Sequence, residues 1–400
     1  RITKDIKIAG VQELKIRSAM GTAGQRPGYN WQYDIINLSS GSLSTNRSKL
    51  NPNLRPSTST EIDFGLDVAF LNRFSLEAVY SKSKTEDQFM QVDIFAPANG
   101  GANKQWQNVG TVDFNTIELT LNSQVIKKQD LSWDLNIRFE KTANEITDLN
   151  VDPITVGPNN GQIFRIEEGV EFGSMYGRDF VRNLDQMSAQ LPDGSSVSDY
   201  VVNSDGIVVA ANTIGTRNEA PIILKDAEGA DAYTKIGSQV ADFRMGFTSS
   251  FRYKALSFYA LFDWQKGGDI YNRQGQWLTR DNRNVIVDQA GKAEADKKTY
   301  SYYQGLYDTN NTNAQWVEDG SYVKLREVSL FYTLKGEKIG NIFDSVKLGV
   351  TGRNLFTFTN YSGWDPEVQK YDGNTQSYYA VDYGVYPNPT SYNFSIQVKF

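Results

Sequence analysis

The sequence contains no cysteine and no histidine. Without thiols there are no disulfides, thiolate metal sites or cysteine nucleophiles. Without imidazole, histidine-based zinc centres and Ser-His-Asp triads are excluded, and most enzymatic readings go with them. Long apolar runs are missing too. No window approaches the roughly 18–20 apolar residues of a membrane helix, and apolar types make up 39% of the 400 residues. A net charge of -6, from 41 Lys+Arg against 47 Asp+Glu, lacks the basic excess expected of a nucleic-acid partner. The mean hydropathy of -0.49 looks soluble, but that measure is blind to barrels, whose strands offer lipid one apolar face about ten residues long. The chain opens at Arg1 with neither an initiator Met nor a signal sequence, as expected of a mature product or a piece of something longer.

What is present is alternation. Aromatics reach 12% of the chain, led by 22 Tyr and 21 Phe, and they recur with period two rather than 3.6. From Glu61 to Phe70 one face carries Ile62, Phe64, Leu66, Val68 and Phe70, and the other Asp63, Gly65, Asp67 and Ala69. After Leu71-Asn72-Arg73 the pattern resumes with Phe74, Leu76, Ala78 and Tyr80, which spells an antiparallel hairpin. The same form returns at Ile117–Leu121 with Trp133–Phe139, and at Phe243–Tyr253 with Phe258–Trp264.

The pattern predicts twelve strands, at about 12–23, 59–70, 74–90, 108–123, 131–146, 161–167, 170–181, 240–253, 256–270, 321–334, 345–356 and 390–400. Short turns and long polar connections alternate along that series, the habit of outer-membrane barrels. One face of the strands is too polar for a packed core, with Asp63, Asp67, Asp134, Asn136, Arg138 and Glu140. Unpaired buried charge is expensive, so that face is expected to meet water and the apolar face lipid. The expected fold is all-β, a transmembrane antiparallel β-barrel. A soluble all-β carbohydrate-binding protein shares the period-two signal. Phe400 closes an alternating final strand and is the expected barrel-assembly signal, since the last strand of such barrels typically ends in an aromatic residue.

Longer motifs narrow the family. Arg353-Asn354-Leu355-Phe356-Thr357-Phe358-Thr359-Asn360-Tyr361-Ser362-Gly363-Trp364-Asp365-Pro366-Glu367 closely resembles a hallmark of SusC/RagA-type TonB-linked outer-membrane proteins. Leu14–Arg17 with Gly21–Gly24, Asn108–Gly110 with Ile117–Leu119, and Glu168-Gly169, Phe172-Gly173 and Tyr176-Gly177 are similar to other motifs of that family, in the same order. So are Gly267–Asn272 and Asp319–Arg326. The resemblance implies that residues 1–400 are the C-terminal part of a barrel of about 22 strands, whose N-terminal domain and plug are absent from this chain. It also implies the outer membrane of a Gram-negative bacterium and TonB-driven uptake of a glycan, oligosaccharide or peptide. The implied partners are a SusD-like surface lipoprotein, the TonB complex (through the missing N-terminal region), outer-membrane lipid, and a second SusCD-like pair in a homodimer. A self-contained twelve-strand passive pore is the competing reading.

No catalytic, metal or cofactor residue is expected. Asp308, Asn310 and Thr312 mimic the start of a calcium loop, but the sixth-position Gly and the distal Glu are missing. Carboxylate pairs show no spacing that marks glycosidase chemistry. The most suggestive ligand candidates lie after Asn272: Trp277, Tyr300, Tyr302, Tyr303 and Trp316, with Tyr307, among Arg280, Asp281 and Arg283. Rings beside hydrogen-bonding groups suit sugar or peptide capture. They also suit packing of a long loop or a membrane interface.

Overall fold

The structure, a computed structural model, describes all residues except 1–7, 35–37, 40–41, 44–47, 158–161, 311, 341 and 372–376. Ten long strands form one sheet: β1 (Val11–Gln25), β2 (Ser57–Phe70), β3 (Phe74–Glu86), β4 (Thr111–Lys127), β5 (Leu131–Asp148), β6 (Ala241–Tyr253), β7 (Leu256–Gly267), β8 (Tyr322–Lys335), β9 (Ser345–Thr359) and β10 (Ser391–Lys399). Each pairs antiparallel with the next in chain order, a simple meander. Tight turns at 71–73, 128–130, 254–255 and 336–344 mark one end, and the long connections 26–56, 87–110, 149–240, 268–321 and 360–390 the other. Leu71 and Asn72 both adopt positive φ, the backbone a tight hairpin needs. The antiparallel membrane-barrel class therefore stands.

The strand count does not. The hairpin expected at 161–167 and 170–181 is not in the long sheet, and Gly161 lies outside the described residues. Phe164–Ile166 and Ser174–Gly177 are short strands that pair with Ile154–Val156 and Thr234–Ser238 in a separate four-stranded sheet. Three- and four-residue strands fall well short of the roughly 9–11 residues that cross a bilayer. Their side chains Ile163, Phe164, Ile166 and Met175 are buried instead in the clusters that pack the long connections. A misplaced pair of strands leaves the parity of short and long connections unchanged, so alternation alone cannot detect it.

Register separates the faces. One row across nine strands runs Leu14, Val68, Leu76, Leu121, Ile137, Phe247, Phe262, Leu325 and Phe356. The adjacent row runs Lys15, Asp67, Glu77, Thr120, Arg138, Gly246, Asp263, Lys324 and Thr357. A one-residue slip would exchange hydrocarbon for charge across the sheet, so register is strongly specified. Among the described residues β1 pairs only with β2, and β10 only with β9. Both edges are open, and the self-closed twelve-strand pore is not what the chain forms.

Candidate functional site

The most organised polar site lies on the charged face of β8, where two of the quoted motifs meet. Lys324 and Arg326 project from the Asp319–Arg326 motif. Lys324 binds Asp365 and, at 2.6 Å, Glu367 of the Trp364-Asp365-Pro366-Glu367 turn. Arg326 binds Glu367 through two nitrogens and Asp263 of β7 through its Nε (3.1 Å) and Nη2. Asn388, at the far end of the same connection, donates its backbone N–H to Asp365 (3.1 Å) and its side chain to Glu367 (3.0 Å). The connection 360–390 is thereby clamped at both ends to the sheet's inner face. Burial pushes the Glu367 carboxyl up, but Arg326 and Lys324 outweigh it and hold it at about 2.

A second junction lies beside it. Gly267 and Gly268 have φ of +72° and +79°, and Gly320 approaches so closely that a Cβ there would stand 2.1 Å from the Gly268 carbonyl. Asn272 ties three segments: it accepts from Gly275 N at the start of the helix Arg273–Arg280 and donates to Glu318 and Ser362. Asn108 does the same elsewhere, accepting from Arg55 N and donating to the carbonyls of Arg55 and Asp87. The motifs thus encode joints between strands and connections. Sequence reading treated them as turn and register signals and missed the ion cluster. Its only trace is opposite charge in two motifs some forty residues apart.

The aromatic candidates divide. Tyr302 and Tyr303, on the short helix Tyr300–Tyr307, are buried with Phe180, Ile207 and Leu306. The Tyr302 hydroxyl accepts from Asn203 Nδ2 at 2.8 Å, and burial pushes that phenol well above its ordinary range. Trp316 packs on Tyr271, Ile163 and Met175 and donates its indole N–H to the Leu306 carbonyl (2.8 Å). Trp277 is half-buried, edge-on to Tyr383 at 5.0 Å and under the Arg273 guanidinium. Tyr300 is exposed. Phe400 is exposed as well, with its ring 5.1 Å from that of Phe343. The structure does not gather the five rings around one opening.

Residues 13–169 match the Outer membrane protein beta-barrel family. The chain is 28% identical over 366 residues to TonB-dependent receptor P3 of Formosa agariphila, covering 88% of this chain and 35% of that protein. It is 23% identical over 426 residues to TonB-dependent receptor SusC of Bacteroides thetaiotaomicron, covering 99% and 38%. All of the chain superposes on 42% of a chain in the structure of the RagAB peptide transporter, with a TM-score of 0.71 and 21% identity. Fold, face polarity and family match define a transmembrane β-barrel wall of the Gram-negative outer membrane. Within that class the chain's sequence is similar to TonB-dependent receptors, SusC among them. It spans little more than a third of the length of the curated relatives it matches.

Proposed function

We propose that residues 1–400 form the C-terminal part of the barrel of a SusC-like importer, and that the complete protein carries a glycan, oligosaccharide or peptide across the outer membrane. The observation that carries this reading is the pair of adjacent rows across the sheet, hydrocarbon outward and charge inward, with open edges at β1 and β10. An edge in lipid leaves backbone groups without partners, so further strands of a barrel of about 22 are the natural complement. The charged face then lines a lumen, and a plug and TonB-contacting segment lie outside these residues. A SusD-like lipoprotein covers the long-connection end as a lid, and two such pairs associate as a dimer. Trp277 and Tyr300, which keep ring surface open, are the candidates for substrate contact among the five rings; Tyr302, Tyr303 and Trp316 support them from beneath.

The test is uptake of labelled oligosaccharide and peptide pools by cells making the full-length protein, with and without TonB. Uptake that disappears without TonB supports the importer. Uptake indifferent to TonB would overturn it in favour of a passive pore.

A further inference from the structure

The outward face carries a charge asymmetry that transport does not use. Row by row from the pairing, the strand lysines that share the outward face with the apolar residues are Lys82 and Lys84 on β3, Lys141 on β5 and Lys266 on β7. All four are exposed, and all stand at the long-connection end of their strands. At the turn end the outward positions are Leu131, Tyr253, Leu256, Tyr332 and Leu348, with no lysine or arginine among the described strand residues of that face. Two of the four cations are answered within the chain. Lys84 meets Glu86 at 2.9 Å, and Lys266 reaches Asp319 at 3.9 Å.

Lys82 and Lys141 have no ion pair among the described residues. They flank β4, where Lys82 pairs with Asn115 and Lys141 with Ile117. One strand lies between them, and two inter-strand spacings with a two-residue offset along the strands put them about 12 Å apart, within reach of two flexible four-carbon stems converging on one anion. Between them Tyr80 donates to Asn115 Oδ1 at 2.9 Å, which leaves the Asn115 amide NH₂ as a third donor. One step toward the apolar band stand Phe139 and, level with it, Trp264, while Phe243, level with Lys141 and Lys266, packs on both rings at 5.8 and 4.9 Å. Trp264 and the outward Tyr80 are amphipathic rings of the kind that sit at headgroup level. An apolar surface below, aromatic rings at its border and two ammonium groups without an ion pair above, with Asp113 and Glu145 beyond them on the same face, match one occupant in polarity and depth.

The geometry points to a lipid-phosphate seat on the outer wall, in which Lys82, Lys141 and Asn115 bind the phosphate of an anionic membrane lipid while Ile117 and Phe139 contact its chains. It rests on the membrane placement of the outward face, and not on what the protein transports. Lipid phosphates attract surface cations by an amount equivalent to about fivefold in affinity per lysine. The experiment uses the full-length protein in nanodiscs of phosphatidylcholine with increasing phosphatidylglycerol, reading retained lipid by native mass spectrometry. Wild type should retain phosphatidylglycerol preferentially, and K82Q/K141Q should lose that preference on the order of twentyfold. K82R/K141R should keep it, and so should K15Q/K347Q, which removes equal charge from the inner face. Absence of preference in wild type, its survival in K82Q/K141Q, or equal loss in K15Q/K347Q would each overturn the proposal. Folded barrel content, read by heat-modifiable mobility, separates lost binding from lost assembly.

Discussion

The wall and the long connections use the same residue types in opposite places. On the wall Phe64 is 55% exposed and Phe394 82%, while Lys324 is 3% exposed on the inner face. In the connections Tyr302 and Trp316 are 1% and 5% exposed, and charges sit mostly outside. Water-based burial therefore measures stability in only one of the two regions. In the connections hydrocarbon leaves water by packing on hydrocarbon. On the wall it leaves water only when lipid supplies the other half, and each backbone polar group is met by a neighbouring strand. A cavity is costly in the first region and a charge in the second. Substitutions matched in size should accordingly have region-specific effects.

The largest effect is expected where the regions are joined. Lys324→Ala removes the cation from two carboxylates, and breaking a buried pair from one side costs about 3–5 kcal/mol. Denaturant unfolding of the full-length protein in detergent, with proteolysis of the 360–390 connection as a local readout, checks it. Trp316→Ala is expected to cost a similar 3–5 kcal/mol through a cavity and an orphaned Leu306 carbonyl. That loss should appear as early cleavage within 149–240 and 268–321, with the wall intact. Simultaneous unfolding of wall and connections in both variants would erase the distinction between the regions.

How much was legible follows the same division. The wall could be read because lipid on one side and water on the other impose a period of two, and Phe64 to Tyr80 shows it without help from any distant residue. The hairpin at 164–177 uses the same local code, with Phe164 and Ile166 on one face and a left-handed Gly169 nearby. What distinguishes it is length and the burial of both ends, and only tertiary packing reveals those. The rings of Tyr302 and Trp316 fall in short helices and turns without periodicity. Their places depend on Phe180 and Tyr271, far away in sequence. The Lys324–Asp365–Glu367 cluster was visible as motifs but not as a contact, because charge alone does not say which of many acids a lysine meets. Lys82 and Lys141 passed unnoticed because their significance lies in which face they share, and that needs the register.

The sheet's two faces provide a matched pair of tests. Ile137→Arg places charge in the outward apolar row and should cost roughly 2–4 kcal/mol near the bilayer midplane. Asn136→Arg, one residue earlier and on the inward face, should cost less than about 0.5 kcal/mol, as surface changes usually do. Folding yield of the full-length protein into lipid vesicles over a urea series reads both. Equal losses would mean that the outward face does not meet lipid. In detergent-free buffer the difference should vanish, since no hydrocarbon then distinguishes the faces.

Smaller than the Ile137→Arg cost is a pH dependence confined to the clamp. Glu367 is held at about 2, below its ordinary 4.5, because Arg326 and Lys324 favour the carboxylate more than burial disfavours it. A depressed carboxylate adds stability that is fully present above 4.5 and is lost as pH falls through about 2. Its side chain is 27% exposed, so solvent screening reduces the contribution to on the order of 1–2 kcal/mol. Lowering pH from 5 to 2 should therefore loosen the 360–390 connection before it affects the wall, whose strand hydrogen bonds carry no titrating group. Amide exchange of that connection, compared with β4 and β5 in the same sample, is the measurement. Glu367→Gln should flatten the profile across that window while leaving β4 and β5 unchanged. If the connection in the Gln variant still loosens between pH 5 and 2 as the wild type does, another group drives the transition, and the clamp is not held by the Glu367 carboxylate.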